Sequence, residues 1–367
     1  VSTVVELRVH QVSSPLVRPF TTAVRTATAI QVVLVEARSA DGRSGWGEAP
    51  ASWRVTGESP ESIRAAVLGP IAAAVIGLPI GDREAWSAGI ASAVIHNAAA
   101  RSAVECALFD LEAQFAGLPL HELLGSTGGT VATGIRTDMT LSATSIDDLL
   151  QRADEHRAAG FRTLKVKAIS AAVTVTALVE LRAALGASVD LRVDANQAWD
   201  QATAIRTIRA LEDAGVALEL VEQPVAANDI LGLAAVTAAV NTPILADEAV
   251  WTRVELRAIV ERHAADLINV KLAKAGGLVE ALLLAHAAKA AGLGLIVGCM
   301  MESSVGVAAA AGLAAAVAPG VVHDLDAGLW QASSPVVGGL EYRGDVVHPA
   351  DSAGLGILQL HDREVAA

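Results

Sequence analysis

The chain has 367 residues, too many for one small domain and enough for a barrel of about 250 residues with a second domain beside it. Hydrophobic residues make up 53% and charged residues 18%, so the core must be large, with alanine-rich helices packed on a buried sheet. A net charge of −13 argues against nucleic acid, which needs a basic face, but leaves a small-molecule partner open.

The cysteines, Cys106 and Cys299, are far apart and suggest no disulfide framework. The opening Val1-Ser2-Thr3-Val4-Val5 has no basic region before an apolar core, as a signal peptide would. The late apolar stretches 281–301 and 305–318 are interrupted by His286, Lys289 and several glycines, so no membrane span is expected. These features predict a cytoplasmic protein with neither membrane nor nucleic-acid partners.

Residues 1–50 read as antiparallel β. Val4–His10 alternates, Gln31–Arg38 is a strong strand, and the Asp41-Gly42 turn leads into Ser44–Glu48. Helices are predicted over 61–75, 82–92 and 97–115. Strands followed by helices imply a separate α+β domain over 1–125. From 126 the pattern changes. Ile135–Leu141 reads as a first strand, and Ser145 caps a helix that runs to Ala159.

Five apolar runs follow, each closing on polar residues: 163–167, 191–196, 218–224, 243–248 and 267–271. Their key residues recur every 24–28 positions, which suits one strand plus one helix per step and a parallel sheet. Gly294–Gly298 and Val321–Asp326 read as seventh and eighth strands. The predicted fold is therefore α/β, a (β/α)7β modified TIM barrel over 126–328. The tail, 329–367, is expected to pack back on the first domain.

Polar residues at the carboxyl ends of such strands converge on one mouth. Asp194, Glu222 and Asp247 end three successive runs, and three convergent carboxylates cannot all stay ionised without a cation. Oxygen-only ligands suit a hard ion, and Mg²⁺ is the expected cofactor. Lys165 and Lys167 are two apart on one strand and so share a face. Crowding and burial would lower a lysine pKa toward the range of a base. Lys167 on the second strand and Lys271 on the sixth stand opposite each other in an eight-stranded barrel. Two such bases can remove a proton from one side of a carbon and return it to the other. Lys274 is expected in the loop beyond.

Lys165-Val-Lys167, Asp194-Ala-Asn196, Glu222-Gln-Pro224, Asp247-Glu248 and Lys271-Leu-Ala-Lys274-Ala-Gly-Gly277 together resemble the enolase superfamily, muconate-lactonizing subgroup. The resemblance implies that Asp194, Glu222 and Asp247 bind Mg²⁺ and that Lys167 and Lys271 are the acid/base pair. Lys165 would hold a substrate carboxylate, and the chemistry would pass through an ene-diolate. Asp324-Leu-Asp326 resembles the Asp-Xaa-Asp of dipeptide epimerases, which binds the free amino terminus of a dipeptide. The loop Phe20–Thr26 resembles that of Ala-Glu epimerases, in which an arginine, here Arg25, meets the glutamate side chain. Thr137, Asn196 and Glu302 complete the expected substrate-binding set. A homo-oligomer is expected. Within the same subgroup, o-succinylbenzoate synthases, N-succinylamino-acid racemases and cycloisomerases are alternatives, but their substrates leave Asp324 and Asp326 without a cation. A Schiff-base lysine lyase and a non-catalytic binding barrel are more distant ones.

Overall fold

The computed structural model describes residues 2–21, 26–125, 134–143 and 145–361. Three antiparallel strands, Val4–Thr21, Thr26–Ser39 and Ser44–Pro50, form the capping sheet. The helix Ala98–Ala116 packs on it so closely that a Cβ on Gly47 would come within 1.9 Å of the Ala103 carbonyl oxygen. Alanines on the helix and glycines on the strand allow this approach, and larger residues would force the layers apart. The helix predicted over 61–75 is broken by a kinked π-turn over Val67–Ile71, where Gly69 leaves the helical conformation. Pro70 lies inside it, where its missing N–H breaks the regular ladder.

Seven parallel strands form the barrel wall in sequential order: Met139–Leu141, Thr163–Lys167, Asp190–Asp194, Leu218–Glu222, Ile244–Ala246, Leu267–Lys271 and Gly294–Gly298. Helices cover their outer face, so the strands are almost continuously buried. The expected eighth strand is much reduced. Its place is held by single bridges from His323 to Thr137 and from Asp324 to Gly298, which join the first and last edges of the sheet. The predicted first strand is also broken. Ile135–Arg136 pairs with Val346–His348 of the tail, and only Met139–Leu141 pairs with the next barrel strand.

The tail therefore touches both halves of the molecule. Leu120 N–H donates to the Gly354 carbonyl at 3.0 Å, and Leu355 N–H donates to Asp110 Oδ1 at 2.8 Å. Among the described residues one stretch, Ala171–Ser188, is long and apolar enough to cross a bilayer by length and composition. Thr174, Ala177, Leu178, Leu181 and Leu185 on it are buried within the fold.

The main core lies between sheet and helices. Inside the barrel, Leu220, Leu245 and Ile296 form a separate apolar plug, with Leu267 against it. Charged residues sit nearer the mouth. Burying them there is costly unless each finds a partner, and those partners define the site.

Candidate active site

Strand register brings the first group together. Lys167 lies beside Asp194 on the next strand, and Asp194 lies beside Glu222 on the one after. Asp247 follows the end of the fifth strand, and Lys271 ends the sixth. Sheet order puts three strands between those of Lys167 and Lys271, and the 323–324 segment completes an eighth position, so the two lysines come from opposite walls. Both line a cavity of about 400 Å³ with Lys165, Asn196, Asp247, Asp324 and Asp326. Phe20, Ser52, Arg54 and Val55 reach it from the capping sheet and its loops. Phe20 meets Trp330 edge to face, with ring centroids 4.7 Å apart, at the rim. Arg25 lies outside the described residues.

The loops carrying the carboxylates are tightly held. Asn196, Gln197 and Gln223 all have positive φ, at 44°, 67° and 37°. Such conformations cost energy in residues with a side chain and persist where surrounding bonds enforce them. Here Gln197 N–H donates to the Gln223 carbonyl at 2.9 Å. Gln223 Oε1 in turn accepts from the N–H groups of Asp247 at 2.9 Å and Ala249 at 3.0 Å. Asp194 Oδ1 accepts from Asn196 N–H at 2.8 Å.

The lysines are paired. Lys167 Nζ donates to Asp194 Oδ2 at 2.5 Å, and Lys271 Nζ to Asp247 Oδ2 at 2.9 Å. Lys165 Nζ lies 2.5 Å from Asp324 Oδ1 and 3.8 Å from Glu222 Oε2. The lowering of pKa expected for the crowded Lys165–Lys167 pair is not found for Lys165, and Lys271 is shifted in the same direction as Lys165. Burial does disfavour their charged forms. For Lys165, Asp324, Asp138 and Glu222 outweigh it, and for Lys271, Asp247, Glu222 and Asp324 do, so both are raised well above the ordinary lysine value. Asp247 is held far below the usual carboxylate range because Lys271 and Lys274 overcome its burial. Lys274 is not a loop residue. The short helix Leu272–Ala275 turns it inward, where it is buried and donates to Asp247 Oδ1 at 2.5 Å.

The carboxylates fit a hard cation. Glu222 is fully buried, and burial, followed by Asp194, pushes its pKa up to about 8. Among the described residues its Oε2 has no hydrogen-bond donor, and neither has Glu248 Oε2. Asp194, Glu222 and Asp247 offer oxygens from three adjacent strand ends, the donor type Mg²⁺ takes. Among the described residues a different trio is closely grouped: oxygens of Asp138, Asp324 and Asp326 lie within 4.8 Å of one another. That trio already faces Lys165 and the guanidinium of Arg192, which donates to Asp138 Oδ2 at 2.9 Å. An arginine keeps its charge in a protein, so an ion there would meet a fixed like charge. The set on strands three to five faces lysines and Asn269, which donates to Glu222 Oε1 at 2.8 Å, and meets no guanidinium among the described residues, so its chemistry fits a hard cation better than the Asp138 trio does.

Asp324 and Asp326 present carboxylates to the cavity. Asp326 Oδ2 accepts from Thr140 N–H at 2.7 Å and Trp330 Nε1 at 3.1 Å. Lys165, followed by Lys271, holds Asp324 down at about 2 against the effect of burial. Two expected substrate contacts are placed elsewhere. Thr137 is buried and does not line the cavity; its Oγ1 accepts from Leu325 N–H at 2.8 Å and so anchors the Asp324–Asp326 segment. Glu302 also stands back from the cavity, with Oε1 accepting from Met300 N–H at 2.9 Å. Asp138, Lys274 and Glu248 were given no role by sequence reasoning. Asp247-Glu248 was a visible doublet, but nothing marked Asp138.

Residues 4–125 match the N-terminal domain of the mandelate racemase / muconate lactonizing enzyme family, and residues 148–362 match the enolase C-terminal domain-like family. The L-Ala-D/L-Glu epimerase of Bacillus subtilis is 38% identical over 97% of this chain and 96% of its own length. A substrate-liganded structure of that enzyme superposes with a TM-score of 0.94, at 37% identity over 98% of this chain and 99% of that one. The dipeptide epimerase of Enterococcus faecalis, in complex with Mg and L-Leu-L-Tyr, superposes at 0.92, with 34% identity over 97% and 100% of the two chains. A muconate cycloisomerase of Acinetobacter lwoffii is 37% identical over 82% of this chain and 78% of its own. Identity alone therefore does not separate the substrates.

Proposed function

The chain belongs to the mandelate racemase / muconate lactonizing enzyme family of the enolase superfamily, with dipeptide epimerases among its near relatives, and from that premise we propose that it epimerises dipeptides at the α-carbon of the second residue, with L-Ala-D/L-Glu preferred. The observation that carries this reading is the placement of Asp324 and Asp326 in the same cavity as Lys167 and Lys271. A carboxylate pair at the mouth suits a substrate ammonium, which cycloisomerase and N-succinyl substrates lack.

In this reading the amino terminus of the dipeptide sits against Asp324 and Asp326. Lys165 offers its positive charge to the substrate carboxylate. Mg²⁺ held by Asp194, Glu222 and Asp247 would supply positive charge against the negative charge that develops on that carboxylate. The α-carbon lies between Lys167 and Lys271. One lysine, neutral at that moment, removes the α-proton, and the other, charged, delivers a proton to the opposite face. Asp194 and Asp247 hold the two amines in position. Phe20, Trp330 and the loop of Ser52 to Val55 narrow the mouth against water. The preference for glutamate is supported by the cationic lining at Arg54 and by the position of Arg25 in the sequence.

A dipeptide library incubated with the enzyme in D₂O tests the assignment. L-Ala-L-Glu should gain one dalton and epimerise faster than dipeptides with an apolar second residue. Faster turnover of N-succinylamino acids than of any free dipeptide would contradict it.

A further inference from the structure

Asp138 takes no part in the reaction as described, yet it stands directly behind the Asp324–Asp326 pair. It is fully buried and does not line the cavity. Its Oδ2 accepts from Arg192 Nη1 at 2.9 Å, while its buried Oδ1 has no hydrogen-bond partner among the described residues. Oxygens of Asp138, Asp324 and Asp326 nevertheless lie within 4.8 Å of one another.

The charges around this cluster come from every neighbouring element. The second strand brings Lys165, which is shared with Glu222. Arg192 on the third strand is shared with Glu219 through Nε at 2.8 Å and Nη2 at 3.0 Å. The closing segment brings Asp324, Asp326 and His323. His323 is neutral at ordinary pH, because burial pushes its pKa down to about 4, and its ring bonds to Val297 N–H and the Ala318 carbonyl. The sixth strand brings Lys271, 3.9 Å from Asp324 Oδ2 and shared with Asp247. Three carboxylates thus face three cations, each divided with a further acid. The cluster is short of positive charge.

A buried carboxylate oxygen without a donor is costly, and like charges this close tend to share a proton. We propose that Asp138 is a positioning residue that holds one proton on the Asp138–Asp324–Asp326 cluster and releases it when a substrate ammonium binds to Asp324 and Asp326. The inference rests on the dipeptide reading above. Burial is the main influence that pushes Asp138 up to about 7, with Asp324 and Asp326 adding to it against Lys165 and Arg192. In the balanced step, one ammonium enters and one Asp138 O–H bond breaks. The electron pair stays on the carboxylate, and the proton leaves to the buffer through Asp324 or Asp326, which line the cavity. The net charge of the cluster is unchanged. Binding of an ammonium substrate therefore strengthens as pH rises toward the point at which Asp138 ionises unaided.

Calorimetry on the Mg²⁺-loaded full-length enzyme tests this. The ligand is an equilibrated L-Ala-D/L-Glu mixture, for which turnover produces no net reaction. Titrations at about pH 6 in two buffers of different ionisation heat count the protons released. N-propanoyl-glutamate, which lacks the ammonium, serves as the reference. The expected difference between the two ligands is about one proton per site for the wild type and close to zero for Asp138→Asn, whose amide still accepts from Arg192. The variant should also raise KM about tenfold and flatten the rise of kcat/KM with pH, with a smaller change in kcat. Equal proton release from both ligands in the wild type overturns the proposal, as does full release from the variant. If wild type neither binds nor turns over the dipeptide, the dipeptide reading itself fails and takes this inference with it.

Discussion

In the capping domain, buried acids are held by backbone N–H groups of that domain, the barrel and the tail; at the barrel mouth, equally buried acids are held by lysines. Glu48 accepts from Ser303 N–H at 2.7 Å and Gly306 N–H at 3.0 Å, at the start of the helix Ser304–Val317. Glu58 accepts from Ala99 and Ala100 N–H at 2.9 and 3.0 Å, at the start of Ala98–Ala116. Glu105 accepts from Val279 N–H at 2.8 Å, at the start of Leu278–Ala290. Each answers the unpaired donors and positive pole of a helix N-terminus. Asp110 ties Trp46 N–H to Leu355 N–H, both at 2.8 Å. These donors belong to the main chain and cannot leave. Lys167 and Lys271 can change both partner and protonation state, and Glu222 Oε2 and Glu248 Oε2 have no donor among the described residues. The first group of acids joins the structural elements, and the second is arranged for a ligand.

Substitution should separate the two groups. Glu222→Gln removes a charge from the mouth without removing a backbone partner. We expect kcat/KM to fall roughly 100-fold or more, with weaker Mg²⁺ binding and a melting temperature that is little changed. Full turnover after exhaustive chelation would refute the metal role. Asp324→Asn or Asp326→Asn should lower kcat/KM for free dipeptides by roughly 30-fold, the low end of what losing one partner of a buried charge pair costs. N-acetylation of the dipeptide should cost the wild type a similar factor and these variants much less.

The acids of the capping domain should behave in the opposite way. Asp110→Ala leaves the N–H groups of Trp46 and Leu355 without an acceptor, and urea unfolding should show a loss of about 2–3 kcal/mol. The kcat/KM of the folded fraction should stay within about twofold. A smaller effect is expected from Glu105, which burial pushes up to about 7 from the ordinary 4.5. Its folded pKa is the higher one, so its contribution is complete below about pH 4.5 and declines as pH rises through 7. Glu105→Gln should flatten the fall in melting temperature between about pH 5 and 8, a difference on the order of 1–3 kcal/mol.

The parts of this arrangement that repeat were legible in the sequence. A strand every 24–28 residues brought Lys167, Asp194, Glu222 and Lys271 to one end of the barrel, because register in a parallel sheet follows from the strand–helix period. What depends on single contacts was not. The segment around His323 and Asp324 reads as a strand by composition, yet it makes only two bridges. Lys274 follows a strand end and reads as a loop lysine until the short helix turns it inward. Thr137 reads as a substrate contact but anchors the backbone of Leu325. Asp138 becomes visible only once the third strand brings Arg192 across to it. The raised pKa of Lys165 has the same cause: the sequence shows crowded lysines, but not which carboxylates stand opposite them.

The central claim, that Lys167 and Lys271 serve opposite faces of one α-carbon, is tested most directly by proton exchange. L-Ala-L-Glu and L-Ala-D-Glu are incubated separately in D₂O with Lys167→Ala or Lys271→Ala, and ¹H NMR follows loss of the glutamyl α-proton. Neither variant should interconvert the isomers. Each should still exchange the α-proton of one isomer, and the two variants should differ in which one. Interconversion by either variant at near wild-type rate would show that a single base is sufficient and would contradict the account.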